Sequence, residues 1–271
     1  MKRATRISEI INAFSLEPVK PDQMEAFYCS NTMEIRMSDK YSSPMEDIYD
    51  ICCSGTNEAI LLLGHKGCGK STELNKTALK LKEDGYPVKT LTCSEDLDML
   101  NLVYSDLLIL MGEALLEIAE ECDCEIDKEV LEEIEFFWKE GTKTTTYTDR
   151  TESSLETGAE ASTPKVLSGM LRLFATVKAN LKFNEESRLE YRQKISARSS
   201  EWIELLEKVS ENIKERTEGK TPILIFEDLD KLNPEDAWKV FYNYVVLEYN
   251  GKRWHNVHPL VREFLEGRRE K

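Results

Sequence analysis

Glu58-Ala59-Ile60-Leu61-Leu62-Leu63 runs without a break into Gly64-His65-Lys66-Gly67-Cys68-Gly69-Lys70-Ser71. The first six residues are continuously apolar after Glu58, as in a strand buried on both faces of a parallel sheet. The next eight match GxxxxGK(S/T) in full and stand between a predicted strand and a predicted helix, the context the pattern requires. Glycine permits backbone angles that turn successive N–H groups inward. The dipole of the following helix points at the same spot, so the loop predicts an anion cradle. Lys70 would reach the β and γ phosphates of a nucleotide as a mobile point charge, and Ser71 would offer its hydroxyl to magnesium. A chance glycine-rich turn is the competing reading, and the full motif in its full context outweighs it.

Outward from this stretch, Leu74, Ala78 and Leu81 recur at helical spacing until Gly85-Tyr86-Pro87 stops the helix, and Val88 to Cys93 reads as a second strand. That predicts one βαβ unit. Met99 to Glu121 gives a long helix, apolar nearly all round and therefore expected to be buried. Lys128 to Trp138 gives a shorter one. Gly141 to Pro164 holds eight threonines and almost no aliphatic residue, which predicts a flexible insert. Leu167, Met170, Leu171, Phe174, Val177 and Leu181 return to helical spacing, with the Leu171/Leu173 alternation leaving a strand open. Ile195, Trp202, Leu206, Val209 and Ile213 predict one long amphipathic helix across 186–217. Pro222 to Phe226 is a second buried-strand run. Beyond it, a helix from Asn233-Pro234-Glu235 to Tyr244, a hairpin at Asn250-Gly251 and a terminal helix over Pro259 to Gly267 are expected. The whole predicts an α/β fold with a parallel sheet flanked by helices, a helical insert and a short tail. The expected organisation is a lead-in at 1–55, a core at 56–247 with its insert at 141–164, and a C-terminal segment at 248–271.

The strand ending at Phe226 gives way at once to Glu227-Asp228-Leu229-Asp230. A magnesium ion on nucleotide phosphates needs an acidic partner at the end of a neighbouring strand. Glu227 is placed for the metal and Asp228 for orienting a water, with the two roles interchangeable by one residue of register. An acidic turn after a strand is common by itself; beside the glycine-rich loop it gains meaning.

The two segments GHKGCGKSTEL (64–74) and IFEDLDKL (225–232) resemble the bacterial P-loop ATPases of the AAA+ and STAND groups, near the origin-recognition-like branch. The resemblance spans roughly Met45 to Asp236 and is carried by these two motifs. It implies an ATP-driven switch with ATP and Mg2+ as cofactors. By that match Gly64, Gly67, Cys68, Gly69, Lys70, Ser71 and Thr72 bind the nucleotide, Ser71 and Glu227 hold the metal, and Lys70 and Asp228 are catalytic. Two departures stand out. Family members usually carry aspartate where this chain has Glu227. They also continue into a sensor strand and a helical lid, whereas 41 residues follow Asp230 here, with Lys252-Arg253-Trp254 resembling the end of a winged helix. Hydrolysis is therefore expected to be weak or dependent on a partner, through self-association or a second protein. A small-molecule or nucleoside kinase, and an interaction module that keeps nucleotide only for stability, remain the alternatives.

Composition narrows the classes further. The net charge of −15 disfavours nucleic acid and anionic membranes as partners. No apolar run reaches the roughly 18 residues of a membrane span, and the N-terminal stretch has no signal-peptide core, so a cytoplasmic location is expected. Seven scattered cysteines suit neither a disulfide framework nor a zinc site, and most are expected to be small buried hydrophobes. Arg188, Arg192 and Arg198 suit either fingers for a neighbouring subunit or a charged helix face, and the face is the simpler reading.

Overall fold

The computed structural model describes residues 18–28, 44–55, 60, 62, 67–139, 163–229 and 232. The chain divides into two compact units, Met1–Gly85 with His255–Lys271, and Tyr86–Trp254. Of the buried strand expected at 58–63, the two described residues, Ile60 and Leu62, lie in no strand, and Ile60 is 42% exposed, so an apolar run alone did not make a buried strand here. The rest of that run, the start of the glycine-rich loop including Gly64, the insert at 141–162 and everything expected after Leu232 lie outside the described residues.

In the first unit a 3-10 turn at Pro21–Gln23 leads into α1 (Met24–Phe27), followed by α2 (Pro44–Cys53) and α3 (Lys70–Glu83). α2 was not foreseen from the sequence. Pro44 opens it, where a missing N–H costs nothing, and Met45, Ile48 and Cys52 then recur at helical spacing. It packs on α3: the Tyr49 hydroxyl donates to Asp84 at 2.5 Å, and Lys80 sits 3.6 Å from the centre of the Tyr49 ring.

The second unit joins a small parallel sheet to a large helical body. β1 (Val88–Thr92) pairs with β2 (Ile223–Glu227) in the register Val88↔Ile223 to Thr92↔Glu227. Between them the chain makes the short α4 (Cys93–Asp96), then α5 (Tyr104–Glu121), α6 (Lys128–Lys139), α7 (Thr163–Phe183), α8 (Glu185–Ala197) and α9 (Ser199–Arg216). This is an α/β arrangement, mostly helical, whose parallel pair is linked through a helical body rather than one crossover helix. No helix of the described residues is long and apolar enough to cross a membrane.

α5 is the centre of that body and contacts α7, α8, α9 and β1. Its Gly112 explains how α9 comes so close, because a Cβ there would lie 2.6 Å from Cζ2 of Trp202 and 3.0 Å from Cε1 of Phe174. Trp202 is wholly buried, donates from Nε1 to the Leu108 carbonyl at 3.0 Å, and packs with Phe137, Trp138 and Phe174 at ring separations of 5.0 to 5.9 Å. Such offset and edge-on pairs add to the area they bury.

Several boundaries differ from the sequence reading, each for a local reason. α5 starts at Tyr104 rather than Met99, because Asp98 ties a turn of its own, accepting from Leu100 N at 3.2 Å and Asn101 Nδ2 at 2.9 Å. The segment from Leu167 is helix, not strand. The expected single helix over 186–217 breaks at Arg198 (φ −129°, ψ 35°) into α8 and α9. The seven residues from Ile195 to Trp202 are two full turns, so the apolar stripe stays in phase across the break. The only local signal is Ser199-Ser200, whose hydroxyls favour helix starts over helix interiors. β2 is half-buried along its length, with Leu224 and Phe226 packed on the core. Of the described cysteines only Cys93 and Cys124 are buried, and Cys68 is exposed.

Candidate functional site

The loop residues that the structure describes form a left-handed crown on a helix. Gly67 and Gly69 have φ of 79° and 94°, values that side chains seldom adopt, and Lys70 is the first residue of α3. A Cβ built on Gly67 would meet nothing within 4 Å, so its left-handed φ rather than crowding is what calls for glycine there. Gly67 and Cys68 are exposed, whereas Gly69, Lys70, Ser71 and Thr72 are half-buried. α3 is 14 residues long, enough for its free N–H groups and dipole to favour an anion at this end.

The same end of α3 is strapped by residues 18–28. Val19 N donates to Thr72 Oγ1 at 3.2 Å, and Asn75 Nδ2 donates back to the Val19 carbonyl at 3.1 Å. The Tyr28 hydroxyl reaches both carboxylate oxygens of Glu73, at 3.0 and 3.1 Å, while Lys76 donates to Tyr28 Oη and lies 4.1 Å from the ring centre. Thr72, expected on the nucleotide from the motif alone, is thus engaged by the strap through its hydroxyl. Nothing in the sequence signalled this tie, since Val19 contributes only backbone.

The acidic pair belongs to the second unit. Parallel pairing sets the carboxyl ends of β1 and β2 side by side, Thr92 against Glu227, and ligands of open α/β sheets bind beyond such ends. Glu227 is the last residue of β2. Asp228 follows in the left-handed region at φ 66°, a conformation that aspartate tolerates better than most residues. Its carboxylate accepts a short hydrogen bond from the hydroxyl of Ser94, which α4 carries there directly after β1. Ser94 was missed by sequence reasoning; a hydroxyl residue just past the end of a parallel strand is the signal that was available. The neighbouring Cys93 is wholly buried, and its thiol is pushed up to about 12, by burial first and then by the charges of Asp96 and Asp228. It is a packed neutral thiol and not a nucleophile.

Among the described residues no three His, Cys, Asp or Glu side chains gather as a metal cage. Magnesium on a nucleotide asks for less, one or two protein oxygens beside the phosphates. Ser71, in the first unit, and Glu227, in the second, each carry an oxygen of that kind.

The three candidate arginines are all engaged within the chain. Arg188 pairs with Asp98 at 2.8 Å, and Arg198 with Glu201. Arg192 grips the buried Asp106 through two bonds, Nε to Oδ1 at 2.8 Å and Nη2 to Oδ2 at 2.6 Å. Asp106 also accepts from Val103 N at 3.1 Å, so Arg192 completes the start of α5.

No protein-family model, curated protein or solved structure matches the chain.

Proposed function

We propose that the chain is an ATP-binding protein of P-loop type, a nucleotide switch of the AAA+/STAND kind with weak or partner-dependent hydrolysis. One observation carries the reading: the sequence GxxxxGK(S/T) coincides with left-handed glycines at 67 and 69 and a helix that begins at Lys70. In this reading the backbone N–H groups of Gly67 to Lys70 hold the phosphates, and Lys70 adds a charge that follows the terminal phosphate. By the motif match alone, Ser71 and Glu227 are each assigned to magnesium, which when bound would neutralise phosphate charge. Asp228 is assigned to the attacking water, and its left-handed backbone and bond to Ser94 fix one orientation of the carboxylate. Arg188, Arg192 and Arg198 serve the chain's own carboxylates, which supports a requirement for charge from a partner if turnover is to be fast.

The test is Lys70→Ala followed by calorimetric titration with ATP and magnesium. Loss of one charge-assisted hydrogen bond of about 1.5 to 3 kcal/mol should weaken binding by about tenfold to a hundredfold, with the unfolding midpoint unchanged. Equal affinity in the two proteins would reject the assignment.

A further inference from the structure

Single apolar side chains on a surface mean little, but a group of them held in one place needs an explanation. In the unit Tyr86–Trp254, Leu100 in the turn before α5, Phe183 at the end of α7 and Leu189 on α8 are 88%, 81% and 51% exposed. The three segments that carry them are cross-tied. Lys182 donates to the Glu95 carbonyl, Lys178 approaches Asp96 at 3.5 Å, Arg188 pairs with Asp98 at 2.8 Å, and Arg192 donates to the Asn101 carbonyl. Asn180 Nδ2 donates to Tyr191 Oη at 3.2 Å and joins α7 to α8. Each exposed side chain stands one position from a tied residue, Leu100 beside Asn101, Phe183 beside Lys182 and Leu189 beside Arg188, so the ties hold the three segments together. They also engage the local cations with the chain's own oxygens, while Glu95, whose carbonyl accepts from Lys182, and Glu185 and Glu186, which follow Phe183 at the start of α8, are exposed.

We propose that this corner is a docking surface for a basic amphipathic helix of another protein. Its apolar stripe would cover Leu100, Phe183 and Leu189, and its lysines or arginines would face Glu95, Glu185 and Glu186. Charge decides among the occupants. A second copy placed by a two-fold axis would set the same carboxylates against one another, and the net charge of −15 adds to that repulsion. An anionic membrane surface is disfavoured for the same reason. A cationic helix gains attraction along with apolar burial, and it needs nothing from the nucleotide site.

The probe is a synthetic helical peptide of about 18 residues, with leucines on one face and lysines on the other. It is titrated by fluorescence anisotropy with the full chain in about 0.15 M salt. Leu100→Ser with Phe183→Ser, and separately Glu185→Lys with Glu186→Lys, should each weaken binding by about tenfold or more. Glu129→Lys with Glu132→Lys, on the exposed acidic face of α6, should leave it unchanged. Near-ultraviolet circular dichroism verifies the fold of each variant. The proposal is overturned if the serine variant binds as well as the wild type, or if the α6 variant weakens binding equally, which means adsorption to general acidity. It is also overturned if the wild-type chain sediments as a dimer that the serine variant abolishes, because the occupant is then a second copy.

Discussion

In the helical body, Ile109, Leu110, Phe174, Tyr191, Trp202 and Ile213 are each exposed by 1% or less, whereas α3, the helix of the glycine-rich loop, buries only Thr77, Ala78 and Leu81. α3 is held on its other side by polar ties to Val19, Tyr28 and Tyr49 and by cations lying over tyrosine rings. Apolar burial is cooperative and close-packed, so a defect in it is felt by the whole unit. Polar ties at half-exposed positions are worth little each and can open locally. The residues assigned to phosphate therefore sit where the described packing is sparse. Changes there should alter ligand binding with little effect on folding, and changes in the helical body should do the reverse.

The strongest challenge to this contrast is Trp202→Ala. It removes the largest fully buried side chain among the described residues, three ring contacts and a hydrogen bond to the Leu108 carbonyl. A loss of about 3 to 5 kcal/mol is expected by denaturant unfolding, enough to leave a marginal unit largely unfolded. An unchanged midpoint would place the stabilising core elsewhere and collapse the comparison.

A smaller effect is expected from Lys178→Met, which adds the sign of a titration. Burial raises the Glu113 carboxyl above its ordinary range, and Lys178, at 2.9 Å, pulls it back. Without the lysine, a nearly buried carboxylate is left among Asp96 and Glu117, at a cost of about 3 kcal/mol, near the low end for a broken buried pair because Lys178 is partly exposed. A carboxyl raised in the folded state favours folding when protonated, and that contribution is lost as pH rises through its folded value. The deficit of the variant relative to wild type should thus be largest near neutrality and shrink as pH falls towards about 4.3, the ordinary glutamate value. A deficit independent of pH over that range would assign it to lost packing of the lysine stem.

Helical periodicity made most of the helical body legible in the sequence, because apolar stripes at 3.6-residue spacing are a direct record of what is buried. It failed where a polar side chain remakes the backbone. Asp98 delays α5, and the break at Arg198 splits α8 from α9 without disturbing the stripe, beside the polar pair Ser199-Ser200. The candidate site was legible where the chemistry is written in contiguous residues, as in 67–72 and 227–228. Ser94 was not, since its partner Asp228 lies 134 positions away and only strand pairing brings the two together. The strap on Thr72 was hidden for a related reason, a backbone amide having no sequence signature.

A smaller change in stability than that of Lys178→Met is expected from Ser94→Ala, and it separates orientation from folding. Ser94 gives one hydrogen bond to a half-buried carboxylate and is itself half-buried. Its loss should cost about 1.5 kcal/mol or less. ATP affinity should not move, because the residues assigned to the phosphates lie at 67–72. If Asp228 orients the attacking water, freeing its carboxylate to rotate spreads it over unproductive positions, and single-turnover hydrolysis should fall by about tenfold. Ser94→Thr keeps the hydroxyl and should restore the rate, and a fall in rate in Ser94→Ala with ATP affinity and the unfolding midpoint nearly unchanged marks orientation rather than folding. Wild-type turnover in Ser94→Ala, with binding intact, would show that the Ser94–Asp228 bond only ties α4 to the end of β2, and the acidic half of the assignment would then have to rest on Glu227.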